Sequence, residues 1–211
     1  MQALARFVYK RLLNAPNRVV FKLWTYVHRG LLKLGDPQIT LTFRGVTFTM
    51  PFAHPVFICQ KYYPCYDTIL KGIAQHIKDR YGRLSMVDVG ANIGDTAVFA
   101  QVDGGAYMLV EGTTNYGDLI HTNLSQNLQT PLYTDQNHPK NAQRYYTKTP
   151  QNQEDKSFLV YTGIFLGESN DSQDHSLRMK DGTASLVREL NTQHSTLNTQ
   201  HSTLQSAHWI V

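Results

Sequence analysis

The chain has 211 residues, 41% of them hydrophobic and 17% charged, a balance that fits one folded domain with appendages and excludes a disordered chain. Its net charge of +4 sits at one end. Arg6, Lys10, Arg11, Arg18, Lys22, Arg29 and Lys33 fall within residues 1–34 with no acid among them, so the rest of the chain is net acidic and offers no basic surface for nucleic acid.

Residues 3–13 place Leu4, Phe7, Val8 and Leu12 at helical spacing. After Ala15-Pro16-Asn17 a second helix carries Val20, Leu23, Trp24, Val27, Leu31 and Leu34 on one face and stops at Gly35-Asp36-Pro37. Two readings stay open for these basic amphipathic helices. Their apolar stripes pack on the domain, or they lie on an anionic membrane surface. No run of about 18 apolar residues predicts a membrane-spanning helix. Lys10 and Arg11 interrupt any signal-peptide core, so a cytoplasmic location, with or without membrane association, is expected.

Ile39-Thr-Leu-Thr-Phe43 and Val46-Thr-Phe-Thr-Met50 alternate at period two around Arg44-Gly45, the pattern of a β-hairpin. Pro51, Pro55 and Pro64 punctuate a Tyr-rich stretch expected to be irregular. The spacing of Ile69, Ile73 and Ile77 predicts a helix over 66–78. Cys59 and Cys65, in a C-x5-C spacing, match neither a zinc site nor a redox pair and are expected to be free thiols.

Leu84-Ser-Met-Val-Asp-Val89 reads as a buried strand, residues 93–102 as a helix, Ala106-Tyr-Met-Leu-Val110 as a second strand ending in Glu111, and residues 116–128 as a second helix. Apolar strands without alternation predict a parallel sheet covered on both faces. Residues 129–156 are polar and proline-containing and are expected to be a long loop or insertion. Residues 157–166 predict a further strand or strand pair. From Leu190 the segment Leu-Asn-Thr-Gln-His-Ser-Thr occurs twice. One Leu per heptad is too few for a coiled coil. His194, His201 and His208 fall seven apart, but the repeat explains the first spacing without any ligand geometry, and no metal is expected. The chain thus divides into basic helices (1–35), a hairpin and helical entry segment (36–83), an α/β domain (84–189) and a low-complexity tail (190–211).

The chemistry concentrates in Asp88-Val-Gly-Ala-Asn-Ile-Gly94, where a strand passes into a helix. Gly90 permits a sharp turn and Gly94 a close approach, with the first helical amides expected to point into the mouth of the turn. The G-x-x-x-G spacing lacks the dinucleotide fingerprint and points away from NAD. Glu111, at the end of the second strand, has the position of an acid that accepts from a ribose diol. Asp88 suits the cationic end of a cofactor. A plain βαβ unit with Asn92 as a helix cap is the alternative reading.

Met86-Val-Asp-Val-Gly-Ala-Asn-Ile-Gly-Asp-Thr96 resembles the first motif of the FkbM family of S-adenosylmethionine-dependent methyltransferases. Val110-Glu111-Gly112 with Tyr116 and the following Leu119…Asn123 helix resembles its second motif. Pro64-Cys-Tyr-Asp67 and Gly182-Thr-Ala-Ser-Leu186 are similar to further segments, and the likeness covers about residues 50–188. It implies a Rossmann-like class I methyltransferase sheet. Asp88, Gly90, Ala91, Asn92, Gly94, Asp95 and Glu111 would hold S-adenosylmethionine, with methyl transfer to a hydroxyl oxygen of a sugar or secondary metabolite. Transfer is an in-line displacement that depends on near-attack geometry. No catalytic base is assigned: His54, His76 and Asp67 lie in the right region, but each reads first as a structural or surface residue. The family continues into a Lys-Ile-Asp-x-x-Gly strand that this sequence lacks. An incomplete sheet, cut short or frame-shifted near residue 189, is therefore expected. An inactive remnant with at most cofactor binding, or a peripheral-membrane protein, stands beside the enzyme reading.

Overall fold

The computed structural model describes residues 1–135, 142–148, 154–163, 175–180 and 183–188. Helices α1 (Gln2–Leu13) and α2 (Arg18–Leu32) form a helical hairpin, with Asn17 capping α2 through the Val20 amide at 2.9 Å. Strands β1 (Gln38–Phe43) and β2 (Val46–Pro51) pair antiparallel. Arg44 and Gly45 both take positive φ, the type I′ geometry whose twist suits a two-residue hairpin. Helix α3 (Val56–Tyr62) occupies the stretch expected to be irregular, and α4 (Tyr66–Tyr81) follows, ended by Gly82 in the left-handed conformation.

The five-stranded sheet contains β3 (Leu84–Val89), β4 (Gly105–Glu111), β5 (Tyr133–Asp135), β6 (Ala142–Lys148) and β7 (Glu154–Thr162) in the order β3-β4-β7-β6-β5. Strands β3, β4 and β7 run parallel, whereas β6 pairs antiparallel with both β7 and β5. Helix α5 (Asp95–Phe99) links β3 to β4, and α6 (Asn115–Asn127) follows β4. A separate hairpin joins β8 (His175–Lys180) to β9 (Thr183–Arg188). This is an α/β fold with a mixed sheet, compatible with a Rossmann-like arrangement.

Several expectations need correction. The sheet is mixed rather than parallel, because residues 129–156 contribute β5, β6 and the start of β7 instead of a loop. The helix expected over 93–102 shrinks to the five residues of α5. The turn holds positive φ through Asn92 and Gly94, which no α-helix accommodates. Nor do the described residues cover both sheet faces. Leu84, Tyr107, Leu109, Phe158 and Val160 are buried on one face, while Val87 and Val89 on the other are more than half exposed, beside exposed Met108. Among the described residues nothing pairs with the outer edge of β3. On α4, Ala74 is buried and Ile77 packs against the core while Ile69 and Ile73 are exposed, so only the last of the three isoleucines reaches the packed face.

The N-terminal segments are not separate bodies. One core runs from Ala5, Val8 and Tyr9 of α1 through Ile39, Phe48 and Phe57 to Phe99, Leu109, Ile120 and Phe158. The Tyr9 hydroxyl, fully buried, donates to the His54 carbonyl at 2.6 Å and fastens α1 to the entry segment. The heptad repeat, His194, His201, His208 and Gly182 lie outside the described residues.

Candidate cofactor site at the β3 turn

The glycine-rich turn lies at the carboxyl end of β3, where open α/β sheets bind ligands. Three positive-φ residues build it: Gly90, Asn92 and Gly94. At Gly94 an added Cβ would lie 3.3 Å from the Ile120 side chain, so the glycine permits contact with α6. At Gly90 nothing lies within 4 Å of where a Cβ would be, and that side of the turn is open.

The backbone amides of the turn are nearly all committed. Gly90 and Ala91 donate to the Val110 carbonyl at 2.8 and 3.1 Å, Asn92 to Glu111 Oε2 at 2.8 Å, and Gly94 to the Ala91 carbonyl at 2.7 Å. The donors at 90, 91 and 92 tie the turn to β4, and the Gly94 amide closes it on itself.

Glu111 is buried at the end of β4, its other oxygen accepting from the Thr113 amide at 2.8 Å. Its carboxylate thus braces the β3 turn against the segment after β4. Each oxygen keeps a further lone pair for a ligand hydroxyl. Asp88, on the covered face of β3 beside Glu111, has a buried Oδ2 with no hydrogen-bond partner. Burial pushes its carboxyl up to about 6, opposed by a hydrogen bond from the Thr96 side chain and assisted by the neighbouring Glu111 charge. A buried carboxylate oxygen without a donor is costly, and a site that bears that cost is a candidate for binding a cation or donor. Thr113 Oγ1 is likewise buried without a partner.

Asp95 begins α5, and the Cys59 thiol, raised by burial, is raised further by that carboxylate. Neither cysteine forms a disulfide. His54 packs near the turn. Burial pushes its imidazole down to about 4, against a hydrogen bond with Asn92, and its Nδ1 accepts from the Val56 amide at 3.3 Å. It is neutral near pH 7 and too weak a base to lead proton removal. His76 is exposed on α4, and the Asp67 side chain lies outside the described residues. No cluster of metal-ligating side chains occurs among the described residues.

Sequence reasoning missed Asn123. This fully buried side chain on α6 accepts from the Thr49 amide at 2.8 Å and donates to the Thr49 and Ile93 carbonyls at 3.1 and 2.9 Å. Asn127, one turn on, pairs with the Thr47 amide and carbonyl at 2.9 and 2.7 Å. Two side chains of a helix thereby occupy the outer edge of β2 as a neighbouring strand would, while Asn123 also holds the turn through Ile93. The signal was present: Asn123 interrupts the apolar stripe Leu119, Ile120, Leu124 at a position that faces the core.

A broad concavity lies elsewhere, near the amino ends of β4 and β7, lined among others by Arg44, Asn127, Lys148 and Lys156. Lys156 there is bonded to Asp103 at 2.7 Å and Asp155 at 3.4 Å, so its charge is already matched. The unmatched buried carboxyl oxygen is at the β3 turn, and chemistry favours that end.

No family model, curated protein or solved structure matches the chain. Fold and site define an α/β protein with a strand–turn–helix and two carboxyl side chains, buried Glu111 and half-buried Asp88, at the carboxyl ends of adjacent parallel strands.

Proposed function

We propose that the β3 turn binds S-adenosylmethionine and that the chain is a methyltransferase acting on a hydroxyl oxygen of a sugar or secondary metabolite. The observation that carries the reading is the unpartnered buried oxygen of Asp88, inside the motif that resembles the FkbM family and beside Glu111. A cationic ligand supplies what that oxygen lacks. The open side of Gly90 leaves room for it, and the G-x-x-x-G spacing, which lacks the dinucleotide fingerprint, favours a cofactor other than NAD. When bound, S-adenosylmethionine would supply an electrophilic methyl carbon for displacement by the acceptor oxygen.

This chain's own residues bind and orient. Asp88 faces the cationic end, Gly90 and Ala91 shape the turn, and Asn92, Gly94 and Asp95 carry it into α5. Glu111 supports the turn and offers its remaining lone pairs to a ribose. Near-attack placement, rather than a strong base, carries the acceleration in this scheme.

A second reading is cofactor binding without turnover. It is favoured by the exposed Val87 and Val89 face, where no described element forms the far wall of an acceptor cleft.

Isothermal titration of the full chain with S-adenosylmethionine tests the site. Micromolar binding, weakened roughly tenfold or more by Asp88→Asn, is expected for a cation lost from a buried carboxylate partner. Absence of binding, or equal binding by the variant, overturns the cofactor reading. Methyl release in the presence of candidate acceptors then separates turnover from binding alone.

A further inference from the structure

Only part of the apolar surface of α1 and α2 is used by the fold. Toward the protein, α1 buries Ala5, Val8, Tyr9, Leu12 and Leu13. The orientation of α2 is fixed by buried His28, whose Nε2 lies 2.9 Å from the Phe52 carbonyl oxygen, and by Trp24, whose ring meets Phe7 edge-on at 6.0 Å. With that face turned inward, the outer face of α2 is not polar. Val19, Leu23 and Tyr26, with Leu34 just past the helix end, are each at least 60% exposed, and Val27 is exposed beside them. At 3.6 residues per turn these five fall within a sector of about 100° that runs the length of the helix. Arg18, Lys22, Arg29 and Lys33 form a row along one border of that sector. On the neighbouring helix Leu4 and Phe7 are about half exposed, and Arg11 stands over the Phe7 ring at 5.1 Å.

We propose that this surface seats the protein on an anionic lipid bilayer, with α2 lying in the plane of the headgroups. Exposed apolar side chains along a whole helix are an aggregation hazard unless something covers them. The charge pattern says what does. Seven cations and no acid in residues 1–34 complement an acidic, laterally extended partner, and they line an apolar stripe deep enough to enter the acyl boundary. Tyr26 lies at the border between stripe and cations, where an aromatic with a polar tip is best accommodated. The helical hairpin is held to the same core as the β3 turn, so docking would fix the turn at a set height above the membrane. The inference stands on the N-terminal surface alone and does not depend on the cofactor reading.

Co-sedimentation of the full chain with vesicles is the test. Phosphatidylcholine vesicles containing about 30% phosphatidylserine are expected to bind at least roughly tenfold more tightly than pure phosphatidylcholine. That advantage should shrink several-fold between about 0.1 M and 1 M salt, as the Debye length falls from about 10 to 3 Å. Leu23→Ser with Val27→Ser, both on the exposed face, should leave the melting temperature unchanged and weaken binding roughly tenfold. Lys22→Gln with Arg29→Gln and Lys33→Gln should remove the preference for anionic vesicles. Failure of the full chain to pellet with phosphatidylserine vesicles, or equal pelleting by the serine variant, overturns the proposal. So does a dimer in sedimentation velocity that the serine variant abolishes while vesicles bind nothing, since a second copy would then be the occupant.

Discussion

At Asp88 the sign of the pH dependence distinguishes a ligand site from a stabilising contact. Its carboxyl is raised by burial from 3.8 to about 6, so the folded protein holds a proton that the unfolded chain releases. Stability from this group is therefore full below pH 4, falls as pH rises toward 6, and stays reduced above that. Asp88→Asn is expected to stabilise the protein by about 1–2 kcal/mol at pH 8 and to change little at pH 4, as read by urea unfolding at the two pH values. Cation binding should then tighten from pH 5 to pH 7, following ionisation of the same group, which titration calorimetry at several pH values will show. Asn123 is the opposite case. Its three hydrogen bonds join β2, α6 and the turn, and Asn123→Leu would leave the Thr49 amide and the Ile93 carbonyl without these partners. A loss of about 2–4 kcal/mol is expected in denaturant unfolding, with cofactor binding weakened as the turn loosens.

Among the elements, the turn before α5 depends on backbone conformation more than on contacts. Gly94 combines φ of 79° with an approach to Ile120 that an extra methyl would tighten. Gly94→Ala is expected to cost about 1–3 kcal/mol by thermal unfolding and to misplace Asp95. That element was legible in the sequence, because a strand, a glycine turn and a following acid are local patterns with local causes. So was the β1–β2 hairpin, where Arg44-Gly45 dictates the turn and period two dictates the faces. Strands β5 and β6 were not legible. Their sequences are largely polar, and β6 is held by hydrogen bonding to the free side of β7, and β5 in turn to β6, rather than by an apolar repeat. Helix α3 hid between prolines because its seven residues are too few to show a period. The direction of each apolar stripe was also hidden. Leu23 and Trp24 look equivalent on paper, yet only Trp24 turns inward, since Phe7 and Phe52 fix the rotation of α2 from other parts of the chain.

Over the whole molecule, covered and uncovered surfaces are unevenly distributed. Helices α5 and α6 meet one another and, through the core, the buried face of the sheet. The opposite face presents Val87, Val89 and Met108 to solvent, and the outer edge of β3 is unpaired among the described residues. An apolar face beside an open strand edge invites association, because pairing satisfies backbone groups and burial removes apolar area together. The purified chain is therefore expected to self-associate with rising concentration in sedimentation velocity. Val87→Thr with Val89→Thr should reduce that association, since threonine keeps the strand propensity while replacing exposed methyl surface with hydroxyls. The same pair should leave the β3–β4 ladder and the Asp88 site intact, because residues 87 and 89 point away from the covered face that holds Asp88. If the substituted protein stays monomeric and still binds S-adenosylmethionine, the open face and the cofactor turn are independent properties of one sheet. If binding disappears with the association, the far wall of the site comes from a second copy of the chain, and the acceptor cleft belongs to the assembly.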